Sequence, residues 1–322
     1  MIISPNITKN SLIDGLHKIL SSKTANNRFY GARCRGFRSE IELVTKAREQ
    51  GWNLLDGGQC LFTRIDWPTS KENRIIYVTV SSNTPERYTS FYNSLSRLSI
   101  FRGGFFISIG ELNNWSNIDI GFKNTNGQNR VAAIPKPEFN VSKFVNGHFE
   151  QSQLTEIVRL FPTINSAERI CQDKPREALN YLVNYDISEI ADIYANRFFL
   201  DVTLGRVKKG MIDFDGIIND NENFTVIETK EKDVLKVGTN RADWLFGWDS
   251  RRLSWYLYLK DQLGLNSTYI IREVDNQTER RLVAWKRISL SEFCECASWL
   301  SEHSGGGGSG TITAPYLKFN EF

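Results

Sequence analysis

Asp213, Asp215, Glu228 and Lys230 put three carboxylates and an ammonium into one short stretch of the chain. They interrupt two apolar segments, Met211 to Ile218 and Phe224 to Thr229, which flank a turn-forming cluster of Asn and Asp. That is the pattern of a β-hairpin. Side chains alternate faces along a strand, so Asp213 and Asp215 share one face, as do Glu228 and Lys230 on the returning strand. A register that joins those faces brings the acids and the lysine to one point, with Ile212, Phe214, Ile217, Ile227 and Thr229 free to cover the other side. Buried carboxylates are costly unless they bind a metal or pair with a cation. Oxygen ligands at this density suit a hard cation, Mg²⁺ before Zn²⁺, and a nearby lysine suits a phosphate or a polarised water. The competing reading is an exposed hairpin with solvated acids, against which stands the apolar frame of Val226 and Ile227 around them.

The residues Gly210, Ile212 and Asp213, followed by Glu228 and Lys230 on the next strand, resemble the signature of the PD-(D/E)XK nuclease superfamily in its Gly-x-Ile-Asp variant. Ile212 stands where the motif's name has Pro. The resemblance implies a restriction-endonuclease-like core, a mixed central sheet flanked by helices. It implies Mg²⁺, with Mn²⁺ able to substitute, held by Asp213, Glu228, Thr229 and Asp215, and catalysis by Asp213, Glu228 and Lys230. Similar nucleases place a supporting acid on a helix ahead of the hairpin, for which Glu189 is the candidate, and a polar residue facing the phosphate, where this chain has Arg251 and Arg252. Two hairpin registers keep the acids on one face. A loop of Asn219 to Glu222 sets Asp213 opposite Glu228, and a loop of Asp220 to Asn223 sets Asp215 there. The motif ends on Asp213, and Gly216 reads as a bend leading away from the site, so Asp213 is the expected bridging ligand and Asp215 a carboxylate for a second metal or an outer partner.

The elements that must position these groups are legible in part. Leu12, Leu16, Ile19 and Leu20 predict an amphipathic helix over Ser11 to Leu20, and Glu40 to Gln50 a helix closed by Gly51. Between them Asn26 to Arg38 reads as a loop that suits phosphate contact through Arg33, Arg35 and Arg38, or equally as a solvated connector. Strands are expected at Gln59 to Ile65, Arg74 to Ser81 and Phe105 to Ile109, with a helix over Arg87 to Leu98. The amide-rich stretch 111–130 offers Asn124, Asn126, Gln128 and Arg130 as readers of base edges, although Asn126-Gly127 also suits a plain hairpin turn. Pro135 to Gly147 reads as an extended connector. Beyond the hairpin, Asp249 or Ser250 caps a helix that Gly264 stops, Ser267 to Val274 is a strand, and Ser289 to Ser301 a helix containing Trp299.

The chain has 322 residues and a net charge of +3, which predicts two domains and announces no nucleic acid by charge alone. Five scattered cysteines without a Cys-x-x-Cys pair speak against zinc and a disulfide framework. No run suits a membrane span, a signal peptide or a P-loop, which predicts a cytoplasmic protein without a nucleotide cofactor. The expected organisation is a mixed α/β protein with an N-terminal DNA-recognition domain over 1–150, a nuclease domain over 151–304, and a Gly-rich segment and tail over 305–322. The expected function is that of a Mg²⁺-dependent endodeoxyribonuclease. A homodimeric type II restriction enzyme cutting double-stranded DNA leads; a repair, recombination or transposition nuclease and an inactive DNA-binding protein are the alternatives.

Overall fold

Residues 1–23, 27–63, 74–123, 129–161, 174–205, 209–221, 223–304 and 310–322 are described by the computed structural model of the chain. It is mixed α/β and divides into two compact units: residues 1–38 with 58–211, and residues 39–57 with 212–322. The division between the units falls at 38/39, 57/58 and 211/212, not at the expected 150. Residues 58–211 are an insertion within the second unit's own chain path.

The first unit opens with β1 (Ile2–Ile3) and α1 (Lys9–Lys23), where Leu12, Leu16, Ile19 and Leu20 are all buried. The arginine-rich stretch is helical, not a loop: α2 (Asn27–Glu49) runs through Gly31 and Gly36. Then follow β2 (Leu54–Thr63), β3 (Arg74–Ser81), α3 (Thr89–Leu95) and β4 (Phe101–Ile109). After β5 (Glu111–Leu112) come β6 (Asn114–Lys123) and β7 (Asn129–Lys136), which pair with each other as a two-stranded antiparallel ribbon. The expected connector is instead sheet, with β8 (Phe139–Val145) on β4 and β9 (His148–Ser152) on β8. His148, within it, pairs with Glu150 at 2.8 Å. The strand order in this unit is β2-β3-β4-β8-β9, parallel between β3 and β4. β3 is buried along nearly its whole length, as its unbroken apolar sequence requires. Ile76, Val78, Phe105 and Ile107 pack with Phe199 and Leu200, behind α4 (Leu154–Arg159) and α5 (Ile187–Arg197).

The second unit begins inside α2, which Gly51 ends with φ 68° before β2. The chain returns on β10 (Lys209–Asp220) and β11 (Asn223–Asp233), then β12 (Leu235–Lys236), β13 (Trp244–Asp249) and α6 (Ser250–Leu263). α6 is the crossover that a parallel pair needs, and it delivers β14 (Asn266–Val274) alongside β11. β15 (Leu282–Ser289), α7 (Leu290–Cys296), β16 (Ser298–Ser304), β17 (Gly310–Pro315) and β18 (Asn320–Glu321) complete it. Trp299 thus lies on a strand, since α7 stops at Cys296. The sheet order is β18-β15-β14-β11-β10, with the start of β2 beside β10 through Asn219 N–H to Asn53 O at 2.9 Å. Leu43, Ile227, Ile270 and Trp285 fill the core against Trp52, Leu54 and Phe322. Gly57 makes this packing possible: a Cβ there would stand 1.8 Å from the Phe214 carbonyl oxygen, so only glycine lets β2 lie against β10 between Asp213 and Asp215.

Candidate active site

The hairpin ladder runs from Asp220↔Asn223 to Gly216↔Ile227. The turn is tight, with Asn221 at φ 47°, a conformation Asn tolerates. This is the register that sets Asp215, not Asp213, across from Glu228, and Gly216 belongs to the ladder instead of bending away. Both four-residue loops are therefore too long, because Asp220 and Asn223 pair with each other. Beyond Gly216 the Asp215 carboxylate takes the place of a ladder carbonyl, accepting the Thr229 N–H at 2.7 Å.

Glu228 sits in the middle of the sheet, paired in parallel to Tyr269, and is 1% exposed. Its two oxygens face different cations. Lys230 Nζ lies 2.7 Å from Glu228 Oε1 and 3.5 Å from Asp215 Oδ2, and donates to the Thr229 carbonyl at 3.0 Å. Three oxygens, from Asp215, Glu228 and Thr229, thus enclose one positive charge. On the other side, Arg252 Nη1 reaches Glu228 Oε2 and Nη2 reaches Asp213 Oδ1, each at 2.5 Å. Tyr256, one helical turn further along α6, donates to Glu228 Oε2 at 3.0 Å. Asp249 fixes the start of this helix, accepting from the Arg251 and Arg252 N–H groups at 3.0 and 3.2 Å. α6 therefore aims Arg252 and Tyr256 at the acids, while Arg251 is exposed.

Electrostatics follow from this enclosure. Burial pushes the Asp215 carboxyl up to about 8, opposed by Lys230 and reinforced by Glu228, Asp213 and Glu40. For Lys230, burial would lower the ammonium, but Asp215 and Glu228 outweigh it and hold the group charged well above the ordinary lysine range. Arg252 is held charged in the same way, by Glu228 and Asp213 against burial. Burial raises the Tyr256 hydroxyl far above the usual range, so it remains a neutral donor.

No family model, curated protein or solved structure matches this chain.

The structure brings Asp213, Asp215, Glu228, Thr229, Lys230 and Arg252 together, as the sequence reading expects. Glu189 does not join them. It belongs to the first unit, where it closes a capping box at the start of α5 by accepting the Asp186 N–H at 2.9 Å. The acid whose charge reaches Asp215 is Glu40, on the part of α2 that belongs to the second unit. Lys232 is a further group missed in the sequence. Two residues beyond Lys230 and on its face of β11, it donates to the Gly247 carbonyl and lies 5.5 Å over the Tyr269 ring. Burial, with Lys230 beside it, pushes its ammonium down to about 8. Alternation along β11 from Glu228 was the available signal.

The proposed DNA contacts fare less evenly. Arg33 lies 3.9 Å from Asp201 and Arg38 stacks 4.4 Å over Tyr181, so both are engaged within the first unit, and Arg35 is half-buried on α2. Asn124, Asn126 and Gln128 lie outside the described residues, and Arg130 lies on β7. Among the described residues, no three His, Cys, Asp or Glu side chains cluster in the manner of a metal site. The donor set itself, two carboxylates and a backbone carbonyl already gathered on a positive charge, fits a hard divalent ion.

Proposed function

We propose that the second unit is the Mg²⁺-dependent catalytic centre of an endodeoxyribonuclease with a restriction-endonuclease-like core. The observation that carries the reading is the enclosure of one cationic position by Asp215 Oδ2, Glu228 Oε1 and the Thr229 carbonyl, with Lys230 supplying the cation. The order α2, β2, β10, β11, α6, β14 supports it, being helix, three strands, helix, strand once residues 58–211 are set aside together with β12 and β13, which belong to a separate four-stranded sheet with β16 and β17.

Asp215, Glu228 and the Thr229 carbonyl would hold the ion. Mg²⁺ bound there supplies Lewis-acid stabilisation of the scissile phosphate and of a bound water. Lys230, whose side chain is 38% exposed, reaches out of the cradle to donate to a phosphate oxygen or to the attacking water. Arg252 and Tyr256 fix the rotamer of Glu228, and the Thr229 N–H fixes Asp215. In the first unit, the β6–β7 pair is a two-stranded antiparallel ribbon, a kind of element that a major groove admits, and Arg130 lies on it. The partner is double-stranded DNA, and cutting both strands calls for a homodimer.

The test is incubation of the purified chain with mixed plasmid and phage DNA, with Mg²⁺ and with chelator. Discrete bands dependent on Mg²⁺ support a site-specific restriction enzyme. A smear keeps the chemistry but moves the role to repair or recombination. Intact DNA under both Mg²⁺ and Mn²⁺ from a folded protein leaves a binding protein.

Asp215 adds a pH signature. Its carboxyl titrates near the ordinary value of about 4 when unfolded and at about 8 in the metal-free fold. The native state therefore holds the extra proton in between, and the stability this group contributes is complete below about pH 4 and lost as the pH rises towards 8. In chelator, the melting temperature of the wild type should fall between pH 5 and about 8 more steeply than that of Asp215→Asn. Parallel curves would show that Asp215 is ionised throughout.

A further inference from the structure

The two cations around Glu228 are held very differently. Lys230 reaches its oxygens from a long stem that is 38% exposed, at 2.7 and 3.5 Å, and can leave without breaking a helix or a ladder. Arg252 is the reverse case. Its guanidinium spans Asp213 Oδ1 and Glu228 Oε2, each at 2.5 Å from a different nitrogen, and its backbone N–H is held by the Asp249 cap of α6. A planar guanidinium fork with both ends engaged is a strong, pre-organised arrangement. It also occupies one oxygen of each of those two carboxylates, which a second divalent ion would need as ligands.

Resting on the nuclease reading, we infer that Arg252 is the built-in second cation of this centre, so that each chain takes one divalent ion, at the position now held by Lys230. Charge argues the same way. Three carboxylates face one arginine and one lysine, and a single divalent ion turns a net negative cluster into a modestly positive one suited to a phosphodiester. A second ion would leave a large excess of positive charge within a largely buried site. Glu228 then serves both cations at once: Oε1 faces the ion's position and Oε2 stays with Arg252 and Tyr256.

The test is metal stoichiometry, read by equilibrium dialysis and by the paramagnetic signal of free Mn²⁺, on wild type, Arg252→Ala and Arg252→Gln, with plasmid cleavage in parallel. The wild type should bind one Mn²⁺ per chain, with cleavage depending on Mg²⁺ to the first power. Both variants should bind two, the second at least ~10-fold more weakly than the first. If the variants fold only when Mn²⁺ is added, as near-ultraviolet circular dichroism would show, the ion is replacing the guanidinium and the inference stands. Variants that bind one ion, or that stay unfolded in Mn²⁺, overturn it. Two ions on a wild type that cuts DNA sink the inference and leave the nuclease reading whole; no ion and no cleavage remove both.

Discussion

Lys230→Ala should give a folded protein that binds divalent metal at least as tightly as the wild type and cleaves DNA roughly 100- to 10,000-fold more slowly, the usual range for losing a group that transfers or stabilises a proton in the transition state. The two halves of that result come from one geometry. Lys230 Nζ rests among Asp215, Glu228 and the Thr229 carbonyl, so in the absence of substrate it competes with metal for their oxygens. Removing it frees the cradle and so cannot weaken metal binding by loss of a ligand. What is lost is the donor that meets the phosphate or the water, an interaction made mainly in the transition state. Single-turnover cleavage and metal titration on the same preparation decide the matter. Cleavage at the wild-type rate would mean that the catalytic centre is elsewhere, whereas a fall in metal affinity matching the fall in rate would mean that Lys230 holds the site together and does no chemistry.

The second large effect separates the two aspartates. Asp215→Asn should abolish both metal binding and cleavage, while Asp213→Asn should keep the metal and lose a smaller part of the rate. Asp215 stands across from Glu228 in the hairpin register, is held by the Thr229 N–H, and contributes to the cradle. Asp213 contacts the other cation, Arg252. Losing it costs Arg252 one anchor and leaves the cradle oxygens in place. Metal titration of the two variants under identical conditions is the measurement. If Asp213→Asn alone loses metal, the ion sits on the Arg252 side of Glu228 and the roles exchange.

The hairpin, the Asp249 cap and the Gly264 stop of α6 were legible because each is written in a few neighbouring residues. The choice between Asp213 and Asp215 was not. It turns on whether Asp220 and Asn223 pair across a tight turn, and a cluster of Asn and Asp accommodates either answer. α2 was cut short in the reading because Gly31 and Gly36 weigh against a helix, yet Phe37 and Cys34 are buried and Arg38 and Arg33 find partners, and packing overrides propensity. The sequence offers Glu189, just ahead of the hairpin, as a supporting acid; Glu40, which adds to the raised Asp215 carboxyl, lies on the far side of residues 58–211, and no local pattern announces an insertion. The tail after the Gly-rich segment pairs as β17 on β13 and β18 on β15, which accounts for its apolar residues.

That same insertion governs when the centre can come into being during synthesis. Helix α2 and the start of β2 leave the ribosome before residues 58–211, whereas Asp215, Glu228, Lys230 and Arg252 follow them. Trp52 stacks on Phe322 at 5.3 Å, and the Phe322 N–H donates to the Trp285 carbonyl, so the earliest and latest parts of the second unit close on each other. Contacts of such sequence separation form late, after the intervening chain can fold as a unit of its own. On a nascent chain, closure of the second unit therefore waits for residues made well after the acids themselves.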